Sequence, residues 1–442
     1  MKKIFFYIMF AVAGLSLQSC LHDDDEIFDK SAAERINEAV ANAKEVLTSS
    51  QEGWVMHYYA GREYAYGGLN LAMKFTDGKV QMYNETATNS DGSYKSVVST
   101  YKITRDQGPV LAFDTYNDLL HIYGDPAGSG APTHVDGWEA DYEFVIMNIS
   151  EDQNTITLKG KKFNNTIVLE RLTRPVAEYF DAASKMTESL TNAGILAYTV
   201  GDKRAKFYPG SSEYSVKYVD DKGEVASLTV PFTSTDKGVL FSEPIELFGD
   251  TLKGINAKDT ATVNDVLTAN TIVVSNDESK TFSLSNDLSD IFQKGNWYLA
   301  LSNMGEVAGP GLQSFIDGCK DSEGEDVNYC YIGTYNGYYG FCFLSGGKYK
   351  GVATFAVDAP INEPDVITFD FNGYDSSTFG FSNGEYYADK CNFEDAYTPF
   401  LSTFKLSTDD VNNPTVMTLT DQNNAKNVIK LVKDPVLYPG KH

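Results

Sequence analysis

The sequence predicts a mainly β (α+β) protein built from tandem antiparallel β-sheets or barrel-like units, the first two each preceded by one helix. Three observations predict this. Apolar residues alternate with a period of two through most of the 442-residue chain, the strands so defined end in Gly, Pro, Asn or Asp, and two segments carry a helical period instead. Length allows about three domains of ~150 residues, and 28 Tyr with 26 Phe among 13% aromatic residues mark a chain with ample core material.

Residues 1–19 read as an export signal, with Lys2 and Lys3 as a basic start and Ile4 to Leu17 as an apolar stretch too short to span a bilayer stably. The junction Leu17-Gln18-Ser19-Cys20 resembles a bacterial lipobox, which implies lipidation of Cys20 and membrane attachment through the lipid anchor alone. Residues 20–30 form an acidic tether in which Asp23, Asp24, Asp25 and Glu26 follow the anchor. That run resembles the lipoprotein export signal of Bacteroidota and implies the outer membrane, facing the cell exterior; the alternative is a solvated spacer.

The first unit, 31–172, opens with a helix whose face is Ile36, Val40, Ala43 and Leu47, with Ser31 and Glu34 placed as a capping box. Period two then takes over at Trp54-Val55-Met56-His57 and at Leu69 to Phe75, and Asp77-Gly78 marks a hairpin before Val80. Further strands are expected at 94–104, 110–113, 142–149, 155–159 and 166–172. The second unit, 173–290, opens with a helix at Arg174-Pro175 carrying Val176, Phe180, Ala183 and Leu190, followed by strands from Ala205 to Leu284. A third Tyr- and Cys-rich β unit, 291–442, opens at Gly295-Asn296-Trp297, echoing Gly53-Trp54.

An internal repeat is visible in this order, read as divergent copies, with simple reuse of apolar alternation by a β protein as the alternative. Val110-Leu111-Ala112-Phe113 returns as Val239-Leu240-Phe241 and as Val366-Ile367-Thr368-Phe369, so that Phe113, Phe241 and Phe369 are spaced 128 residues apart. Thr157-Leu158 with the strand at 166–169 is likewise matched by Thr418-Leu419 with the strand near 428.

Taken in order, the lipobox, acidic tether, helix, Gly53-Trp54, Met73-Lys74-Phe75 with Asp77-Gly78, the run from Asp106 to Asn117, Tyr142-Glu143-Phe144 and Leu158 to Lys162 resemble a Bacteroidota family of surface lipoproteins of unknown function. That family is found near genes for SusC- and SusD-type nutrient uptake, and the resemblance implies an outer-membrane transporter partner. It supplies no catalytic residues to carry over.

Charge and motifs narrow the chemistry. Lys and Arg total 36 against 61 Asp and Glu, a net charge of −25 that repels phosphate backbones and argues against a nucleic-acid partner. Five His leave little material for a multi-histidine metal centre. No His-Glu-x-x-His, Gly-x-Ser-x-Gly or phosphate-binding Gly-rich loop occurs, so no catalytic residue is assigned and an enzyme has no positive support.

Several candidates remain. Trp138 sits in the polar loop 125–141 with His134, Asp136 and Asp141, while His57 and His121 fall in strand patterns. Tyr331, Tyr335, Tyr338 and Tyr339 offer flat rings with a polar atom, suited to a glycan or peptide ligand, although alternation about Asn336-Gly337 places half of such rings in a core. Asp321, Glu323, Glu325 and Asp326 around Gly324 supply hard oxygen donors of the kind Ca²⁺ uses, without the EF-hand register; no other cofactor is expected.

Cys319, Cys330, Cys342 and Cys391 are disulfide candidates in an exported chain, with three pairings open and free buried thiols as the alternative. With a two-residue turn at Asn336-Gly337, opposed residues sum to 673 and Cys330 and Cys342 face opposite sides; a three-residue loop aligns them. Thr251 and Thr260 stand in Asp-Thr-apolar triplets that resemble Bacteroidota O-glycosylation acceptors and imply an exposed loop over 248–262. Address and resemblance together imply a non-catalytic binding or accessory component of outer-membrane nutrient capture. The alternatives are a secreted hydrolase using dispersed carboxylates and a purely structural surface protein.

Overall fold

A computed structural model describes residues 30–438 apart from 107, 129–136, 264, 376–381 and 412. The signal, Cys20, the tether up to residue 29, His134 and Asp136 therefore lie outside the described residues. The chain divides into two compact units, residues 1–184 with 231–236, and residues 185–230 with 237–442.

In the first unit, α1 (Ala32–Thr48) starts at the expected capping box: Ser31 accepts from the Glu34 amide, and the Glu34 side chain closes back on the Ser31 amide at 3.0 Å. Nine strands follow, β1 (Trp54–Tyr59), β2 (Gly68–Phe75), β3 (Lys79–Thr88), β4 (Tyr94–Thr100), β5 (Lys102–Arg105), β6 (Pro109–Ala112), β7 (Glu143–Ile149), β8 (Thr155–Gly160) and β9 (Thr166–Arg171). They form one antiparallel sheet in the order β4-β3-β2-β1-β9-β8-β7-β6-β5.

The two edges, β4 and β5, are consecutive in the chain, separated only by buried Tyr101. One bent strand thus serves both ends, and the sheet has the connectivity of an eight-stranded barrel whose closing strand is kinked. The segment expected as a single strand over 94–104 is this kinked strand. Ala43, Val46 and Leu47 of α1 cluster with Trp54, Met56, Met73, Leu111, Phe144 and Leu169 on the inner face. The outer face of β1 and β2, at Val55 and Ala72, is covered by Tyr179, Phe180 and Ala183 of α3 (Val176–Ala193).

Asn70 on β2 donates to the half-buried Glu85 on β3 from its amide at 2.7 Å and its side chain at 2.9 Å. Burial nevertheless holds the Glu85 carboxyl above its ordinary value of 4.5. A raised native pKa means the folded state binds this proton better than the unfolded chain, so the contribution is complete below that ordinary value and is lost as pH rises through the native one. Glu85→Gln keeps one of the two acceptor oxygens and removes the titration. The melting temperature of the variant relative to the parent should therefore rise as pH increases from about 4.5 through the raised native value; a flat or falling difference would contradict the assignment.

In the second unit two closed eight-stranded barrels follow one another. The first comprises β10 (Leu196–Val200), β11 (Lys203–Pro209), β12 (Glu213–Val219), β13 (Val225–Thr235), β14 (Gly238–Leu247), β15 (Asp250–Val263), β16 (Val266–Val274) and β17 (Asp277–Leu284), and closes where Tyr198 pairs with Phe282. The second comprises β18 (Trp297–Leu299), β19 (Val327–Tyr335), β20 (Tyr338–Ser345), β21 (Tyr349–Asp358), β22 (Val366–Tyr374), β23 (Thr403–Thr408), β24 (Val416–Asp421) and β25 (Val428–Val432), and closes where Leu299 pairs with Leu431. Its interior is filled by side chains including Trp297, Cys330, Phe341, Phe369, Phe404 and Leu431.

The 128-residue spacing fits this order, since Phe241 and Phe369 lie on β14 and β22, the fifth strands of their barrels, and Phe113 directly follows β6, the strand after the bent β4–β5. The paired registers agree as well. Met56, two residues after Trp54, opposes Leu169, and Leu299, two residues after Trp297, opposes Leu431.

Helices beyond the expected two are α2 (Asp118–His121), α4 (Leu288–Lys294), α5 (Gly305–Glu323), α6 (Asn383–Cys391) and α7 (Phe393–Tyr397). The second barrel is thus also preceded by a short helix, α4. The helix α5 holds Pro310 and several glycines, and two of those glycines make room for neighbours. A Cβ on Gly311 would stand 2.0 Å from the Asp395 carbonyl, and one on Gly318 would stand 2.5 Å from that of Cys391. Among the described residues no helix is long and apolar enough to cross a membrane.

Candidate functional site

Two clefts open on the first unit. The more aromatic one, about 570 Å³, is walled by Tyr66, Leu69, Tyr123 and Trp138, with Asn84, Lys95 and Asp118 at its polar side. Its geometry is built by two constrained turns. Asn117 caps α2 by accepting from the Leu119 amide at 3.0 Å, and the chain continues as a 3-10 turn through Gly124.

Gly137 has a φ of 61°, and a Cβ there would stand 3.0 Å from the Asp125 carbonyl oxygen. That close approach, open only to glycine, lets the Trp138 amide donate to the Tyr123 carbonyl at 2.7 Å. From the other side, Glu139 accepts from the Arg62 amide at 3.1 Å and its carbonyl accepts from Gly61 at 3.2 Å. The loop so pinned holds Glu63 and Tyr64 in the left-handed region, at φ 53° and 61°. It presents Tyr66 edge-on to Trp138 at 5.4 Å. Backbone strain of this kind persists where the surroundings over-determine it, and such places are frequently ligand sites.

The polar groups of the cleft divide into fixed and free. Asn84 donates to the Leu119 carbonyl at 3.1 Å and to the Tyr123 hydroxyl at 2.8 Å, and Lys95 is ion-paired with Asp118. The indole N–H of Trp138 and the hydroxyl of Tyr66 have no partner among the described residues. Two rings at right angles, each ending in an unused polar atom, can stack on a flat apolar face and bond its hydroxyls at the same time.

The second cleft, about 510 Å³, is lined by His121, Asp141, Tyr142, Glu143, Lys161 and Lys162 among others. Its ionisable groups already have protein partners. Asp141 accepts from the Lys162 amide at 2.6 Å and the Phe163 amide at 3.0 Å, though burial still raises its pKa. Glu143 is bridged to Lys161 at 3.0 Å and Asp114 to Lys102 at 2.7 Å. Burial raises the Tyr142 hydroxyl to about 12. This arrangement offers no free pair of carboxylates for hydrolysis.

The residues singled out from sequence separate. Trp138 belongs to the first unit and the tyrosines to the second. Tyr331, Tyr335 and Tyr338 gather on the outer side of the second barrel with Tyr298 and Tyr329, around Cys342 and Val352. Tyr331 is only 8% exposed, however, so its ring is packed rather than presented. Tyr339 faces inward against the core, its hydroxyl buried without a partner.

Only the first half of the acidic run is helical, and Glu325 and Asp326 form the connection to β19. Asp321 and Glu323 lie in the last turn of α5, and Gly324 caps that helix in the left-handed conformation. Glu323 accepts from Tyr386 at 2.9 Å, Glu325 from Ser345 at 3.0 Å, and Asp326 pairs with Lys320 at 3.0 Å. Among the described residues no group of three His, Cys, Asp or Glu could hold a metal ion.

All four cysteines from Cys319 on are free and buried. Tyr335 opposes Tyr338, so the turn has two residues and Cys330 and Cys342 fall on opposite faces. Thr251 and Thr260 lie on β15, exposed on a strand and not in the expected loop; the Thr251 hydroxyl donates to Glu246 at 2.6 Å. His121 sits in α2 and not in a strand, with Nδ1 accepting from the Asn117 amide at 3.0 Å, and His57 is buried in β1 against Thr233 at 2.8 Å. Tyr66 was missed because its strand neighbours dominate the local pattern; the flanking Gly61 and Gly67 were the available signal.

The model of a family described as Domain of unknown function (DUF4302) matches residues 24–259, more than half of the chain. The chain belongs to that family. The DUF4302 span holds the Tyr66–Trp138 cleft and reaches into β15, while the tyrosine cluster and the four cysteines lie beyond it. No curated protein matches the chain. Among solved structures, the DNA polymerase III beta chain of Streptococcus pneumoniae is 12% identical over 91% of this chain and 97% of its own, with a TM-score of 0.11. A putative DNA polymerase III beta subunit of Eubacterium rectale is 10% identical over 91% and 97%, with a TM-score of 0.12. Scores this low carry no argument about this chain.

Proposed function

We propose that this DUF4302 chain is a non-catalytic, lipid-anchored binding protein of the outer membrane, facing the cell exterior, that captures a glycan in the Tyr66–Trp138 cleft for a transporter partner. The observation that carries the binding reading is the strained, doubly pinned corner in which two rings meet at 5.4 Å with their polar atoms unused. A sugar ring has an apolar face to stack and equatorial hydroxyls to bond, which matches those two resources. The address rests on the lipobox at Cys20 and the acidic tether, and the partner rests on the resemblance in sequence.

Calorimetric titration of the full-length chain against neutral and acidic oligosaccharides, with peptides as a separate arm, tests the reading. One glycan class should bind, and Trp138→Ala should weaken it about tenfold or more, the loss of a contact worth over ~1.4 kcal/mol. Tyr331→Phe should leave the affinity unchanged. In cells, Cys20→Ala should release the chain from the membrane fraction. Binding to peptides alone, or glycan binding indifferent to Trp138 and Tyr66, would overturn the proposal.

A further inference from the structure

The four cysteines of the second unit are not equivalent. Cys330 and Cys342 sit on neighbouring strands with Cys330 inside the barrel and Cys342 outside, so the sheet itself separates their side chains. Cys319 and Cys391 belong to two helices in contact, α5 and α6. On either side of the pair the helices are tied together. Ser322, one turn beyond Cys319, donates to the carbonyl of Lys390 at 2.7 Å, and the missing side chain of Gly318 lets the Cys391 carbonyl come within 2.5 Å of where a Cβ would stand. Cys319 and Cys391 are both fully buried in the same apolar cluster.

We infer that Cys319 and Cys391 are an oxidation site that closes to a disulfide, while Cys330 and Cys342 stay as thiols. The inference does not rest on the glycan reading. A disulfide needs Cα atoms about 4.4–6.8 Å apart with side chains directed at each other, and two helices pinned together within one turn of both cysteines bring the pair close enough to be joined. The step is thiol–disulfide exchange. A thiolate of the pair attacks an external disulfide such as oxidised glutathione and releases one glutathione thiolate; the second protein thiolate then attacks the mixed disulfide and releases the other. Two protein thiols are oxidised, one glutathione disulfide is reduced to two thiols, and two protons leave the protein.

Both thiols are fully buried, and burial raises the pKa of each, so exchange belongs to folding or to opening of α6 rather than to the closed native state. The link would join residues 72 positions apart in sequence and should raise the melting temperature of the full-length chain by roughly 5–10 °C.

The test is refolding of the reduced full-length chain in a glutathione redox buffer, followed by alkylation under denaturing conditions and non-reducing peptide mapping. The expected result is one cross-linked peptide pair, Cys319 with Cys391, and alkylated Cys330 and Cys342, together with a melting temperature that falls on adding dithiothreitol. Cys330→Ala should leave the cross-link in place. Alkylation of all four cysteines from Cys319 on, or a link that includes Cys330 or Cys342, would overturn the inference.

Discussion

Replacing Lys206 by alanine is expected to cost the second unit about 3–5 kcal/mol, read as a lowered midpoint in denaturant, because it strands a buried carboxylate. Lys206 lies on β11 with no exposed side-chain surface, and its ammonium meets Asp287 at 2.5 Å and Asp290 at 2.9 Å. The two acids are not equally dependent on it. Asp287 also accepts at both oxygens from one guanidinium nitrogen of Arg204, at 2.8 and 2.9 Å, whereas among the described residues Asp290, itself 1% exposed, has only the Ser285 hydroxyl at 2.5 Å besides Lys206.

Removal of the lysine therefore leaves Asp290 charged, buried and nearly alone, and one of its oxygens already lacks a partner. The desolvation cost of the cation has by then been saved, yet the loss of its attraction to two acids outweighs that saving. Pairing Lys206→Met with Asp290→Asn removes both charges and should recover most of the lost stability. A single-variant loss below ~1 kcal/mol would show that water reaches the network.

That network ties β11 to the segment that leads into α4, and its residues stand far apart in sequence, so nothing in the chain announced it. The barrels themselves were more legible. Alternation located the strands, and the equal spacing of Phe113, Phe241 and Phe369 reflected one strand position used three times.

What alternation could not show was the helix α5. Gly305, Gly309, Pro310, Gly311 and Gly318 speak against a helix on propensity, yet Gly311 and Gly318 are there because neighbouring backbone occupies the space a side chain would need. Tertiary contact overrode local preference, and the first half of the acidic run is the end of that helix. The candidate site shows the same division. Trp138 stood out as an aromatic ring in a polar loop, but its partner Tyr66 is set by Gly137, Arg62 and Glu139, residues that acquire meaning only in the folded turn.

The repeat also makes a matched pair of predictions at Trp54 and Trp297. Each opens the first strand of its sheet, each is at most 2% exposed, and each indole N–H donates at 2.9 Å to a carbonyl of the preceding helix or its end, Leu47 for Trp54 and Phe292 for Trp297. The ring fills the core while the N–H fastens the helix to the strand that follows it.

Trp54→Ala and Trp297→Ala should each cost about 3–5 kcal/mol, the range for deleting a large buried ring. Trp→Phe at either site retains most of the ring and leaves one helical carbonyl without its donor, so a smaller loss of about 1–3 kcal/mol is expected at both. The surroundings differ, since Arg171 lies 4.5 Å over the Trp54 ring and Phe292 stacks on Trp297 at 5.8 Å. If the device is one inherited feature, the ratio of the Phe loss to the Ala loss should nevertheless agree between the two sites in denaturant melts. A phenylalanine variant that is neutral at one site and costly at the other would show that the two tryptophans share a position in sequence but not a role in holding the helix.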